Sequence, residues 1–331
     1  MTSVATAHDH VVTELRLAGK LLLTTHENPD GDALGSLIAM HAILEQLGKD
    51  SLMYMSPDEF PLPSEYRSFK FDGLVESPPE DVLERTIVFL DCGNIDRMPM
   101  EFLKQDGLRV LNIDHHHDNT HFGTVNLVVG DASCTAEIVF GLARELGAEI
   151  TEPIADALYV GVVTDTGRFM YENTTPEAHE MAAKLIRAGV EPDGVYRRLY
   201  EGLPYSRLQL LRRALNSLER HDDGAITVAH LTKRDFEETG AQETDSEGIV
   251  DHMRSVEGTA VAVLVRELLA AEREGLRKVS LRATDGRVDV SAIARTMGGG
   301  GHRQAAGFTT QLPYGELMGT LRDQIAAQLR T

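Results

Sequence analysis

Residues 20–36 read KLLLTTHENPDGDALGS, and the reading of the fold starts from them. Residues 20–25 form a short, nearly continuous apolar run, which reads as a buried strand. The run breaks at His26-Glu-Asn-Pro-Asp30-Gly-Asp32, where Pro29 and Gly31 force a turn. Residues 33–47 then have helical apolar spacing, and Gly48 is a stop signal. The same alternation continues outward. TIVFLD (86–91) and RVLNID (109–114) read as two more buried strands, and 133–146, 153–164 and 176–188 read as helices. Continuous apolar strands alternating with helices predict a mostly parallel, Rossmann-like α/β sheet covered on both faces.

From residue 189 to about 213 the pattern changes to a Tyr-, Arg- and Leu-rich stretch with Pro192 and Pro204, read as a partly helical connector. Beyond it, 225–230, 259–265, 278–283 and 307–310 are strand-like, and 246–253, 290–297 and 314–329 are helical. The expected organisation is therefore a first domain over 1–188, a connector over 189–213, and a smaller α/β domain over 214–331. There is no internal repeat and no low-complexity tract.

Bulk properties narrow the function. At 331 residues the chain suits two domains. No apolar run approaches the roughly 20 residues that span a bilayer, and the first ten residues lack a signal-peptide core. Two cysteines, Cys92 and Cys134, give no disulfide framework, so a cytoplasmic protein is expected. The balance of 32 basic against 52 acidic residues leaves a formal charge of -20. That field repels long polyanions, long duplex nucleic acid above all, because such binding needs many Lys and Arg contacts to phosphate. A short phosphorylated ligand held by cations and a few arginines is still compatible with it.

Chemistry collects where the strands end. The first is followed by His26, Asp30 and Asp32, the second ends in Asp91, and the third runs into Asp114-His115-His116-His117. In open parallel sheets the functional groups gather beyond the carboxyl ends of the strands, so these segments face one crevice. So many carboxylates together repel one another unless cations sit among them. An oxygen and imidazole set without thiolate suits manganese, magnesium, zinc or iron, and its carboxylate content favours the harder ions. The ligand number exceeds what one ion usually needs and argues for a pair roughly 3.5–4 Å apart. Singly, each residue has an ordinary reading. Asp91 could be a turn former, Asp30 the cap of the following helix, and the histidines a solvated loop. Their coincidence at three strand ends favours a site. Cys92, beside Asp91, is read as a small buried apolar residue.

These motifs, His26-x-x-x-Asp30-Gly-Asp32-Ala-Leu-Gly-Ser, the isolated Asp91, Asp114-His115-His116 and GVVTDTGRF (161–169), resemble the DHH phosphoesterase superfamily in order and spacing. GGGGHRQAAG (298–307) resembles the glycine-rich signature of its associated C-terminal domain. The likeness is greatest to the compact bacterial nanoRNase and 3′-phosphoadenosine 5′-phosphate phosphatase subfamily. It implies His26, Asp30 and Asp91 on one divalent ion and Asp32, Asp91, His115 and Asp165 on a second, with Asp91 bridging. The expected ions are Mn2+, with Mg2+ or Co2+ as substitutes. Asp165, an acid at the end of an apolar helix where the helix dipole disfavours it, makes sense if a cation offsets that penalty.

The implied chemistry is in-line hydrolysis by a metal-activated water. His116 is the candidate to contact the scissile phosphate or protonate the leaving oxygen, and Asp114 to orient a histidine. In the second domain, Gly299 and Gly300 allow close backbone approach to an anion, and Arg282 and His302 can grip a terminal phosphate or nucleotide. Expected substrates are RNAs of two to five nucleotides, cut to mononucleotides, and 3′-phosphoadenosine 5′-phosphate, cut to AMP. The competing readings are a cyclic di-AMP or pApA phosphodiesterase and a nucleotide-binding regulator without catalysis. The resemblance also leaves room for a homodimer.

Overall fold

The computed structural model describes residues 4–98, 100–202 and 204–330. The chain divides into two units, residues 1–201 and 202–331. The first unit opens with α1 (Val4–Leu17), β1 (Lys20–Thr24), α2 (Gly31–Gln46), β2 (Asp50–Tyr54) and β3 (Leu74–Val75). It continues through β4 (Thr86–Leu90), β5 (Arg109–Asp114) and β6 (Val125–Val128), then α3 (Thr135–Leu146), α4 (Glu152–Asp165), α5 (Pro176–Arg187) and α6 (Pro192–Tyr200). The strand order is β3-β2-β1-β4-β5-β6 and every pairing is parallel. The expected parallel α/β architecture is therefore present, with the order reversing between β1 and β4, where doubly wound sheets open their ligand crevice.

Period-two alternation divides the strand side chains between two cores. Leu21, Leu23, Val88, Leu90, Leu111 and Ile113 point to a thick layer containing α1 to α6. Leu22, Ile87, Phe89 and Val110 point the other way, onto Tyr54, Met98 and Leu103. That second face is covered by the irregular segment after β4, with 3-10 turns at Ile95–Arg97 and Glu101–Lys104, and not by long helices. Both faces are buried, but the covering is unequal.

Two glycines fix how α2 lies against its neighbours. A Cβ on Gly35 would sit 2.3 Å from the carbonyl oxygen of Ala157 in α4. One on Gly161 would sit 2.6 Å from Ala136 Cβ and 2.9 Å from Asp32 Oδ1. Only the absence of side chains lets α2, α3 and α4 approach closely enough to bring Asp32 toward the end of α4.

The second unit contains α7 (Tyr205–Asn216), β7 (Glu219–His221), β8 (Ile226–Leu231), α8 (Lys233–Thr239), α9 (Ile249–Arg254) and β9 (Val261–Glu267). It ends with β10 (Arg277–Ala283), α10 (Val290–Thr296), β11 (Gly300–Gly301), β12 (Ala305–Thr310) and α11 (Tyr314–Leu329). Its sheet runs β11-β12-β10-β9-β8-β7 and is antiparallel except between β8 and β9. One face packs on α10 and α11, the other on α7, α8 and α9. Among the described residues, no helix is long and apolar enough to cross a membrane.

Candidate metal centre

β1, β4 and β5 end side by side, and the residues that follow them meet. After β1, the Nδ1 of His26 lies 2.7 Å from the Glu27 carbonyl. That contact makes Nδ1 the protonated nitrogen and leaves the Nε2 lone pair free to ligate. Asp30 caps α2, its Oδ1 accepting the N–H groups of Asp32 (3.0 Å) and Ala33 (3.1 Å). The cap occupies one carboxylate oxygen and leaves Oδ2, so capping and ligation do not exclude each other.

Asp91 is buried at the end of β4 with φ of 58°, a left-handed conformation that a non-glycine residue adopts only when its surroundings hold it there. Its N–H still continues the sheet to Ile113 O at 3.0 Å. The twist presents its two oxygens to different partners. Oδ2 is 3.6 Å from His26 Nε2, and Oδ1 is 3.6 Å from both His115 Nε2 and His116 Nδ1. His115 Nε2 is also 3.7 Å from Asp165 Oδ2. These gaps exceed hydrogen-bonding reach and sit near the roughly 3.0–3.5 Å between two atoms that share one ion at 2.0–2.2 Å.

The potential ligand atoms fall into overlapping groups, each within 4.8 Å: His26-Asp30-Asp91, Asp32-His115-Asp165, and Asp91-His115-His116. All six residues expected as ligands are therefore brought together. So is His116, whose Nδ1 is held 2.7 Å from Asp114 Oδ1. Among the described residues, Thr25 Oγ1, next to His26 in the chain, and Asn173 Oδ1, on the side chain that holds Asp165, have no hydrogen-bond partner, which fits ions or solvent at the centre.

The carboxylates are in tension. Burial, reinforced by Asp91 and Asp165, pushes the Asp32 carboxyl well above its usual range. Burial also raises Asp165 to about 7, with His115 opposing and Asp30 and Asp91 adding to the rise. Burial would raise Asp91 too, but its contact with His26 and the neighbouring His116 and His115 hold it far below an ordinary carboxylate. His115 rises to about 9, because Asp165, Asp91 and Asp32 outweigh its burial. Without cations the cluster must keep protons, and divalent ions would relieve the same repulsion.

Residues not anticipated from the sequence hold these groups in place. The first turn of α3 points at Asp32: Thr135 N–H reaches Oδ2 at 2.6 Å and Ala136 N–H reaches Oδ1 at 2.9 Å. Thr135 Oγ1 donates to Asp91 Oδ1 at 3.0 Å. Asn119 Nδ2 donates to Asp114 Oδ2 (2.5 Å) and Asn112 Oδ1 (2.7 Å), and Asn112 Nδ2 to the Cys92 carbonyl (2.9 Å). One buried network thus ties the Cys92 carbonyl, one residue beyond Asp91, to Asp114 and His116. Asn173 Nδ2 holds Asp165 Oδ2 at 3.1 Å. Cys92 itself is inert, its thiol pushed up to about 12 by burial.

The other named residues lie in the second unit and are described within it. Arg282 on β10 pairs with Ala305 across the sheet, and its Nε lies 3.3 Å from Asp251 Oδ1. His302 occupies a tight turn between β11 and β12, its N–H bonded to Ala305 O at 2.8 Å. Arg282 and this turn share one end of the sheet. Gly299 is demanded by close approach, since a Cβ there would sit 2.1 Å from Gly307 O. Its N–H is engaged with Ala294 O at 2.9 Å, at the end of α10, so it does not itself cradle an anion. Gly300 pairs with Gly307.

Both units have known relatives. Residues 20–162 match the DHH family, N-terminal domain, and residues 223–331 match the DHHA1 domain. The bifunctional oligoribonuclease and PAP phosphatase NrnA of Thermus thermophilus is 37% identical over 298 residues, 88% of this chain and 84% of that protein. The crystal structure of an exopolyphosphatase-related protein from Bacteroides fragilis superposes with a TM-score of 0.85 at 25% identity, covering 100% of this chain and 99% of the other. RecJ of Thermus thermophilus, crystallised with Mn2+, shares the fold at a TM-score of 0.56 and 15% identity, covering 98% of this chain and 55% of RecJ.

Proposed function

Because this chain belongs to the DHH family and is a phosphoesterase with a DHHA1 domain, we propose that it hydrolyses short oligoribonucleotides to mononucleotides and 3′-phosphoadenosine 5′-phosphate to AMP, using two divalent cations. The observation that carries the two-ion reading is the splayed carboxylate of Asp91, one oxygen facing His26 and the other facing His115 and His116. We assign His26, Asp30 and Asp91 to one ion and Asp32, Asp91, His115 and Asp165 to the other, with Mn2+ the first choice for an oxygen-rich set. When bound, such a pair supplies a nucleophilic water near neutral pH and neutralises charge on the phosphoryl group. The protein's own part is orientation. α3 and Ser36 fix Asp32, Asn173 fixes Asp165, and Asp114 fixes the His116 ring.

His116, held to Asp114 through Nδ1, is assigned to the leaving oxygen or the scissile phosphate through its other nitrogen. Burial lowers its basicity, but the bond from Asp114 and the charge of Asp91 raise it overall, which suits a proton donor. The first unit is assigned to chemistry. The second contributes substrate contacts, through Arg282, His302 and the backbone at Gly300. The net charge of -20 restricts the substrate to short nucleotides. The thiols of Cys92 and Cys134, both unpaired and buried, suit a cytoplasmic setting.

The test is Mn2+-dependent release of phosphate from 3′-phosphoadenosine 5′-phosphate. Chelator should abolish it and added Mn2+ restore it, and Asp91→Ala should lower kcat/KM roughly a thousandfold or more. Full activity in chelator, or in Asp91→Ala, contradicts the reading. Running pApA and cyclic di-AMP beside a diribonucleotide separates the competing phosphodiesterase assignment.

A further inference from the structure

The backbone just beyond the end of α4 is unusual. Gly167, Arg168 and Phe169 have φ of 54°, 65° and 62°, three successive residues in the left-handed region, two of them not glycine. That conformation carries a steric penalty which the surroundings must hold in place, and such strain concentrates at functional sites. Here it is pinned by the Arg168 N–H on Val163 O (2.7 Å) and the Phe169 N–H on Thr166 Oγ1 (3.1 Å). The ring of Tyr171 fills the space where a Cβ of Gly167 would be, 2.4 Å away.

The turn aims two side chains. Phe169 stacks on His179 with ring centres 4.8 Å apart, and the Arg168 guanidinium lies 5.0 Å over the Tyr200 ring. Arg168 is exposed, and among the described residues it forms no ion pair, in a chain with 52 acids to 32 bases. The same segment borders a cavity of about 320 Å³ between α4 and the start of α6, lined by Tyr159, Val163, Arg168, Phe169, Val195 and Tyr196, together with Pro192 and Asp193, whose carboxylate is taken up by Arg197. This place adjoins the metal centre. Arg168 is three residues beyond Asp165, and Tyr200 neighbours Tyr66, which in turn lies close to Asp30 and Gly31.

Aromatic walls beside an unpaired guanidinium are the chemistry of a nucleotide site, the rings taking a base and the arginine taking a phosphate. The volume matches the small end of ligand pockets. We propose that Arg168 and this cavity form a nucleotide subsite within the first unit, in which Arg168 holds a phosphate that is not cleaved and the aromatic walls hold the base. The inference rests on the reading of the chain as a nucleotide phosphoesterase and adds the residue by which it tells a bisphosphate from a monophosphate. A merely structural Arg168, a cation near the last carbonyls of α4, is the alternative to beat.

The decisive comparison uses two substrates that differ in one phosphate, 3′-phosphoadenosine 5′-phosphate and adenosine 3′-monophosphate. The ratio of their kcat/KM values should fall about 10-fold or more in Arg168→Ala and recover in part in Arg168→Lys, as expected for loss of a charge-assisted bond. A structural role lowers both substrates alike, so an unchanged ratio overturns the proposal. Calorimetry of metal-free protein with 5′-AMP gives a readout independent of turnover: Arg168→Ala and Tyr196→Ala should each weaken binding several-fold, and wild-type affinity in both overturns it. Wild-type protein that turns over neither nucleotide with Mn2+ defeats the functional reading and the subsite with it. Active wild type with an unchanged ratio defeats the subsite alone.

Discussion

Asp91 shows how one residue can set a centre. It has a left-handed φ of 58°, and the carbonyl of the next residue, Cys92, is gripped by Asn112 and Asn119. Asn119 also fixes Asp114, so its truncation should loosen Asp91 and His116 together. Asn119→Ala should lower kcat or Mn2+ affinity about 10- to 100-fold, as removal of outer hydrogen bonds to ligands typically does, and wild-type values for both would contradict the network. The titrations give a second expectation. Asp165, raised to about 7, and His115, raised to about 9, must both lose their protons to bind metal. Protons therefore compete with the ion. Mn2+ affinity measured by calorimetry should fall as pH is lowered from about 9 to 6, with proton release on binding; affinity independent of pH contradicts this. The residues proposed as ligands could be picked out because each stands at a strand end or in a motif. Thr135 and Asn119 were not, because their roles are hydrogen bonds to groups that folding brings near, Thr135 reaching Asp32 across 103 positions of sequence.

At the scale of elements, the geometry depends on how α2 lies against α3 and α4. Gly161 admits Asp32 and Ala136 to one place, and a methyl there must displace one of them. Gly161→Ala should therefore cost about 1–3 kcal/mol in chemical denaturation and weaken Mn2+ binding as well. Stability and affinity both at wild-type levels would show that the close approach is not needed. The long apolar elements were readable: β1, α2, β4, β5 and α11 fall within two residues of their sequence expectation. α1 was missed, since its apolar stripe is sparse and interrupted by His8, Asp9 and His10. β2, β3, β6 and β7 were missed because they are short and depend on pairing with a neighbour for their identity, β3 being only two residues long. The thin covering of the second sheet face was likewise invisible, as 3-10 turns carry no periodicity to read.

For the molecule as a whole, charge and metals answer each other. A net charge of -20 repels long polyanions, while the proposed metal centre, once loaded, would attract a short phosphorylated end. Initial rates on a diribonucleotide should therefore exceed those on a strand of about 20 nucleotides by at least roughly 10-fold at low salt, and equal rates would show that the field does not select length. The central claim, that His26, Asp30, Asp32, Asp91, His115 and Asp165 converge around a cation pair bridged by Asp91, is most directly tested by titrating metal-free protein with Mn2+ and recording its electron paramagnetic resonance. The account predicts two ions per chain and the broadened spectrum of a spin-coupled pair, reverting to an isolated-ion signal in Asp91→Ala. One ion per chain, or two that show only isolated six-line spectra in the wild type, would contradict it.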